Sequence, residues 1–381
     1  MTRLPRLALV FPLLALGAGA AIVHGCTIMN GLTLPEREAG VPDAAEASVD
    51  PCDHALPPAD EPSSVEDGNL AFVTAINALD LGQNGFDGGA ADAPAFAGFD
   101  LDRTCTCPAP PSCLSPAGTV CDDSRGRDNN FAPLIRGIAS KGLDVQKKMT
   151  DGLQDGSSGL LLLVEQYNGK PDDARVFVTL APSRGIREEY PDGGLSPKTN
   201  PTFTRADKWL IGSNQFVQVA NNVVQSTKRA VGYVKNGQLR LSMESGEVSL
   251  GEGSLKIRLT DSYLVANVVP DGEGSFILRE GELSGRWGVK DALLAAREVE
   301  LTPQIGKLCK NPDLMPSVRT EICNAVDIAS RRTDDGKQLP CDAVSLSLRF
   351  EGAKGSLGKI YVEPMLYDCP DASAEDTVCP R

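Results

Sequence analysis

The sequence predicts a mainly β protein, an antiparallel β-sandwich of jelly-roll or lectin-like type with a disulfide-rich N-terminal segment and a few short helices. Three observations carry this expectation. Short aliphatic and β-branched runs recur between Leu160 and Trp287, separated by Gly, Asp and Ser, a spacing that favours sandwiches and barrels over a parallel α/β sheet. Asn236-Gly237 lies between Ala230–Lys235 and Gln238–Met243, the strongest short-range hairpin signal. Eleven cysteines are divided between the two ends of the chain, as in chains stapled in an oxidising compartment.

Residues 1–26 read as an export signal. Arg3 and Arg6 precede the apolar run Leu7–Val23, which ends at His24-Gly25-Cys26, giving a basic start, an apolar segment and small residues at the cut. Cys26 is the expected lipid-attachment residue; cleavage after Ala18-Gly19-Ala20 and an uncleaved anchor are the alternatives. All three put the body outside the cytoplasm. The favoured address is the outer membrane, ahead of secretion or an inner-membrane anchor. Residues 27–67 hold ten acids against one base, Arg37, and no aromatic residue, a composition that reads as a disordered, proline-containing tether.

The remainder, 68–381, is expected to be one stapled body: a Cys-rich and helical part at 68–158, a strand core at 159–287, and helices, closing strands and a Cys-bearing tail at 288–381. Asn69–Leu81 is apolar on both faces, as a buried strand is, and Gly82–Gly98 reads as a loop. Phe131, Leu134, Ile135 and Ile138 fall on one helical face, with Asp128, Asn129 or Asn130 suited to cap it, and Asp144–Leu153 reads as a second helix. Leu160–Tyr167 and Ala174–Ala181 flank a turn-rich segment and form a hairpin. Glu247–Leu250, Leu255–Leu259, Tyr263–Val269, Ser275–Leu278 and Glu282–Trp287 read as separate short strands. Val289–Ala296 and Val318–Ala329 read as helices. Val344–Phe350 alternates strictly, with Gly358–Pro364 as its return.

Setting Cys26 aside leaves five early cysteines (Cys52, Cys105, Cys107, Cys113, Cys121) and five late ones (Cys309, Cys323, Cys341, Cys369, Cys379). Each group is odd, so complete pairing requires a bridge between the two ends of the chain. Aromatic residues are 5% of the chain, so the core must be aliphatic, and the formal charge of −14 makes nucleic acid an unsuitable partner.

Cys52-Asp53-His54-Ala55, Phe99-Asp100-Leu101-Asp102 before Cys105-Thr106-Cys107, Cys121-Asp122-Asp123, Asn168-Gly169 and Gly285-Arg286-Trp287 occur in an order that resembles uncharacterised lipoproteins typical of myxobacteria. The resemblance implies an envelope location and a similar architecture; it implies no activity.

Both histidines, His24 and His54, fall in the leader and tether, so no imidazole is expected beside a nucleophile, and no catalytic residue is nominated. Asp100, Asp102, Asp122, Asp128 and Asn129, with Asp123, crowd oxygen ligands around the early cysteines. A hard cation such as Ca²⁺ takes about six to eight oxygens, and pairing Cys105 with Cys121 would join the two acidic segments. Turn-forming and capping Asp and Asn are the bland alternative. Trp209, after a long loop, is the candidate aromatic platform for a sugar, with a core position as its alternative. The expected function is therefore a surface-exposed, lipid-anchored binding or structural protein, its partner an extracellular glycan or another envelope protein. The alternative is a histidine-independent glycosidase using two carboxylates on extracellular polysaccharide.

Overall fold

Eight antiparallel strands close on themselves in the computed structural model of the chain. The structure describes residues 52–59, 68–82, 97–186, 200–213, 215–218, 224–250, 255–302, 306–361, 369–373 and 375–380. The leader, Cys26 and the tether up to residue 51 lie outside them.

In chain order the strands are β1 Leu70–Asp80, β2 Gly159–Tyr167, β3 Asp173–Ser183, β4 Lys208–Gly212, β5 Phe216–Gln218, β6 Val224–Ser226, β7 Ala230–Lys235, β8 Gln238–Leu250, β9 Leu255–Pro270, β10 Phe276–Gly288, β11 Glu300–Thr302, β12 Gly306–Lys307, β13 Ala343–Lys354 and β14 Ser356–Tyr361. The helices are α1 Phe131–Ser140, α2 Val145–Gln154, α3 Val289–Glu298 and α4 Leu314–Asn324. Around the barrel the order is β3-β2-β1-β13-β10-β9-β8-β7, and β7 returns to β3 with Val176 opposite Gly232 and Val178 opposite Ala230.

That closure overturns the sandwich. A sandwich and a barrel share the same in-out alternation, seen in β9 as buried Leu255, Ile257 and Leu259 between exposed Lys256, Arg258 and Thr260. What separates them is whether the last strand finds the first, and the β3–β7 pairing joins residues too far apart for local pattern to reveal. Three further readings are corrected. Residues 247–250 and 255–269 belong to two long strands, β8 and β9, paired from Gln238–Asn267 to Leu250–Leu255. Residues 358–361 do not return along β13; β14 runs parallel to β4, with Leu357 opposite Trp209. The helix carrying Cys323, α4, stops at Asn324. The hairpin turn stands as read: Asn236 and Gly237 have φ of 51° and 77°, the left-handed pair that a two-residue turn needs.

An eight-stranded barrel is just wide enough to be filled by side chains, and Val164, Val176, Leu239, Leu264, Leu283 and Leu346 fill this one. At the hairpin end Phe72, Tyr167 and Phe276 stack edge-on or tilted, their centroids 5.0–6.0 Å apart. The four helices join strands at the opposite end, where Phe131 of α1, Met149 of α2, Leu293 of α3 and Ile322 of α4 add to the same core. Phe131 meets Trp287 edge-on at 5.8 Å. On β9 the apolar side chains point inward and the charged ones outward, the reverse of a membrane barrel with its outward apolar band. No helix among the described residues is long and apolar enough to cross a membrane.

All ten body cysteines are paired: Cys52–Cys105, Cys107–Cys121, Cys113–Cys341, Cys309–Cys369 and Cys323–Cys379. Cys113–Cys341 is the bridge between the two ends that the odd groups required; Cys105 takes Cys52 as its partner, not Cys121. Five disulfides indicate an extracytoplasmic location.

Candidate functional site

Two places in the body gather chemistry. The first lies on the outer wall of β10 and β13, where Ser284, Ser345 and Ser347 are buried under the Cys-rich segment and the loop before β13. An irregular segment pressed onto a wall has backbone N–H groups with no sheet partner, and buried ones must be paired. Carboxylates supply the acceptors. The Leu101 N–H donates to Asp128 at 2.7 Å, the Thr104 N–H to Asp102 at 2.8 Å, and the Thr106 N–H to Asp122 at 2.7 Å. Asp102 also accepts from the Ser112 hydroxyl, and Asp327 from the Ser345 hydroxyl and N–H.

One carboxylate oxygen each from Asp100, Asp102 and Asp128 lies within 4.8 Å of the other two, and all three residues are buried. Burial raises all three carboxyls, Asp128 well above the usual range, with the Asp102 and Asp122 charges adding to the effect on Asp128. Burial likewise pushes Asp122 and Asp327 up to about 7. Of the five residues nominated for a cation, three converge. Asp122 stands beside them as a further charge. Asn129 is diverted, its side-chain oxygen accepting from the Ser347 N–H at 3.1 Å and its amide donating to the Ala97 carbonyl. Helix α1 begins after Asn130, whose side chain does not cap it and donates instead to the Ala325 carbonyl.

Sequence reasoning missed three members. His54 belongs to the body, its Nδ1 against Asp100, which removes the ground for excluding imidazole chemistry. Arg286, 1% exposed, donates to both oxygens of Asp335 at 2.6–2.7 Å and to the carbonyls of Leu101 and Ala329. Asp327 comes from the far side of the chain. The Cys52 partner and the Gly285-Arg286-Trp287 motif were the signals available for the first two.

The second place is a window. β7 is six residues long between neighbours of eleven and thirteen, so towards the helical end β3 and β8 part beyond Ala230. A cavity of about 640 Å³ opens there, a size within the range of small-molecule sites. Val178, Leu180, Ala230, Met243 and Leu259 form its apolar floor. Lys228, Arg229, Arg258, Glu244 and Asp291 stand around it, with Gln215 at one side. Arg229 pairs with Glu165 at 3.1 Å and lies over the Phe177 ring.

Trp209 is elsewhere and fully buried. It sits between the barrel wall and the β4–β14 flap with Ala75, Leu161, Leu163 and Phe216. A Cβ at Gly159 would come 2.6 Å from its ring and one at Gly355 3.2 Å from Nε1. Those glycines make its slot, and no ring face is offered to a sugar.

Compared with protein-family models, curated proteins and solved structures, the chain matches none.

Proposed function

We propose that the chain is a binding protein of the bacterial cell envelope, tethered by lipid on Cys26, whose ligand enters the barrel through the window beside β7. The observation that carries this reading is the cavity of about 640 Å³, which reaches apolar floor residues of a barrel otherwise filled by its own side chains. Disulfides and the leader support the envelope location. The described lining holds no aromatic residue, so the cavity lends no support to a glycan ligand or to the polysaccharide hydrolase. Export and anchoring are tested together by mass spectrometry of the chain from its own cells. An acylated Cys26 at the new N-terminus is expected; an intact leader or an unmodified terminus overturns the anchor. Met243→Trp, which fills the cavity floor, is expected to abolish ligand binding while the melting transition is kept.

A second reading is favoured by the convergence of Asp100, Asp102 and Asp128: these carboxylates hold a hard divalent cation such as calcium against the outer wall. Three oxygens within 4.8 Å supply part of the about six to eight such a cation takes, leaving the rest to backbone and water. A rise in melting temperature with Ca²⁺ at pH 8, reversed by EDTA, is the expected result. An unchanged transition at millimolar calcium shows the carboxylates acting only as acceptors for backbone N–H groups.

A further inference from the structure

We infer that the ligand of the window is an uncharged single-chain amphiphile whose head is a hydroxyl. This rests on the cavity being the binding site and goes beyond that reading by naming the chemical class. Two features of the lining carry it, one apolar and one polar. Leu180, Met243 and Leu259 offer hydrocarbon where the barrel wall is open, a surface that an alkyl chain covers with a gain proportional to the area it removes from water. The charges around this floor give an ionic head no hold. Arg229 is spent on Glu165 and Arg258 has a partner of its own, which leaves Lys228 facing Glu244 and Asp291. Lys228 and Glu244 are exposed and Asp291 is half-buried. Water screens charges so placed, and among the described lining residues an ion of either sign finds no buried counter-charge.

The polar feature is Gln215. It is 5% exposed, it lines the cavity, and its amide oxygen has no hydrogen-bond partner and is shut off from water. A buried acceptor left unpaired is costly, and a ligand donor that reaches it removes that cost. The terminal torsion of a glutamine is broad and two-fold, so a half-turn of the amide brings the oxygen to the cavity side. A carboxylate or an ether brings no donor; a hydroxyl brings one without a charge to desolvate.

The test uses the full chain carrying Cys26→Ser, purified without detergent, with calorimetric titration of four probes of equal chain length: 1-decanol, decyl methyl ether, decanoate and decylamine. The alcohol is expected to bind at one per chain, about tenfold tighter than each of the other three. Lengthening the alcohol by two methylenes should tighten it further, by about fifteenfold. Gln215→Leu should erase the preference of alcohol over ether while the ether keeps its affinity, which shows that the cavity is still formed. Equal affinity for alcohol and ether overturns the hydroxyl. Decanoate or decylamine binding tighter than the alcohol overturns the uncharged head, and affinity independent of chain length overturns the alkyl chain. If no amphiphile binds but a neutral oligosaccharide does, and Met243→Trp abolishes that binding, the ligand class is wrong and the cavity reading survives. If neither the four probes nor the oligosaccharide bind, both fall.

Discussion

On the wall of β1, β2 and β3, Trp209, Ile211 and Phe216 lie against Ala75, Leu161 and Leu163. On the wall of β10 and β13, Asp100, Asp102, Asp128 and Asp327 lie over buried Ser284, Ser345 and Ser347. Both walls are covered, yet one cover is aliphatic and aromatic and the other is acid, hydroxyl and guanidinium. The difference follows from what does the covering. β4 and β14 are strands that satisfy much of each other's backbone by pairing, which frees the wall beneath to be apolar. The Cys-rich segment has no ladder, so side chains must accept from its N–H groups, and the wall beneath must be polar to hold those side chains in place.

The strongest way to break this contrast is to remove the staple over the polar wall. Replacing Cys113 and Cys341 by alanine opens a loop of 228 residues and should cost about 5 kcal/mol in the chain-entropy model, read by guanidinium unfolding. Hydrogen exchange should then quicken at Leu101, Asp102 and Thr104 before it quickens in β2. Simultaneous exchange of both would show that the two walls form one cooperative unit.

Next come single side chains. Trp209→Ala leaves a hole under the flap and should cost about 3–5 kcal/mol. Arg286→Met strands Asp335 and two carbonyls and should cost about 3–5 kcal/mol. The two differ in their pH profile: the tryptophan loss should be constant from pH 5 to 8, whereas the arginine loss should grow as neighbouring carboxylates ionise.

Proton linkage distinguishes the walls without mutation. Asp122 and Asp327 are raised to about 7 by burial, above the about 4 of an unfolded aspartate. A carboxyl raised in the folded state favours folding while it stays protonated, an advantage present at pH 4 and lost as the pH climbs through 7. In EDTA the melting temperature should therefore fall between pH 5 and pH 8, and Asp327→Asn should flatten the fall. The smallest effect belongs to Ser284→Ala, which removes the acceptor of the Ser347 hydroxyl at 2.8 Å and should cost about 1 kcal/mol.

What the sequence made legible was local. The hairpins at 168–172 and 236–237, helices α1 to α3 and the alternation of β13 were readable because period and turn chemistry are properties of neighbouring residues. The parity of the cysteines gave one long-range fact, a bridge between the ends, without naming Cys113 and Cys341. Barrel closure was not legible, since Val178 and Ala230 carry no mark of their pairing. Nor was the fate of Trp209: its slot is made by Gly159 and Gly355, distant in sequence on either side. The acidic site was half legible. Residue type and crowding pointed to Asp100, Asp102 and Asp128, but Asn129 was spent on a strand amide, and Asp327 and Arg286 arrive from parts of the chain that no spacing connects.

The position of Cys52 sets how the body answers a pull on its N-terminal lead. Tension arriving there crosses the sulfur link to Cys105, travels along the short covalent run to Cys113, and leaves through Cys341 next to β13. Strand β1, eighteen residues further along the chain and held to β2 and β13 by hydrogen bonds, is bypassed by that route. A load on Cys52 is thus carried by covalent bonds into the middle of the barrel, and β1 is not the strand it would unzip.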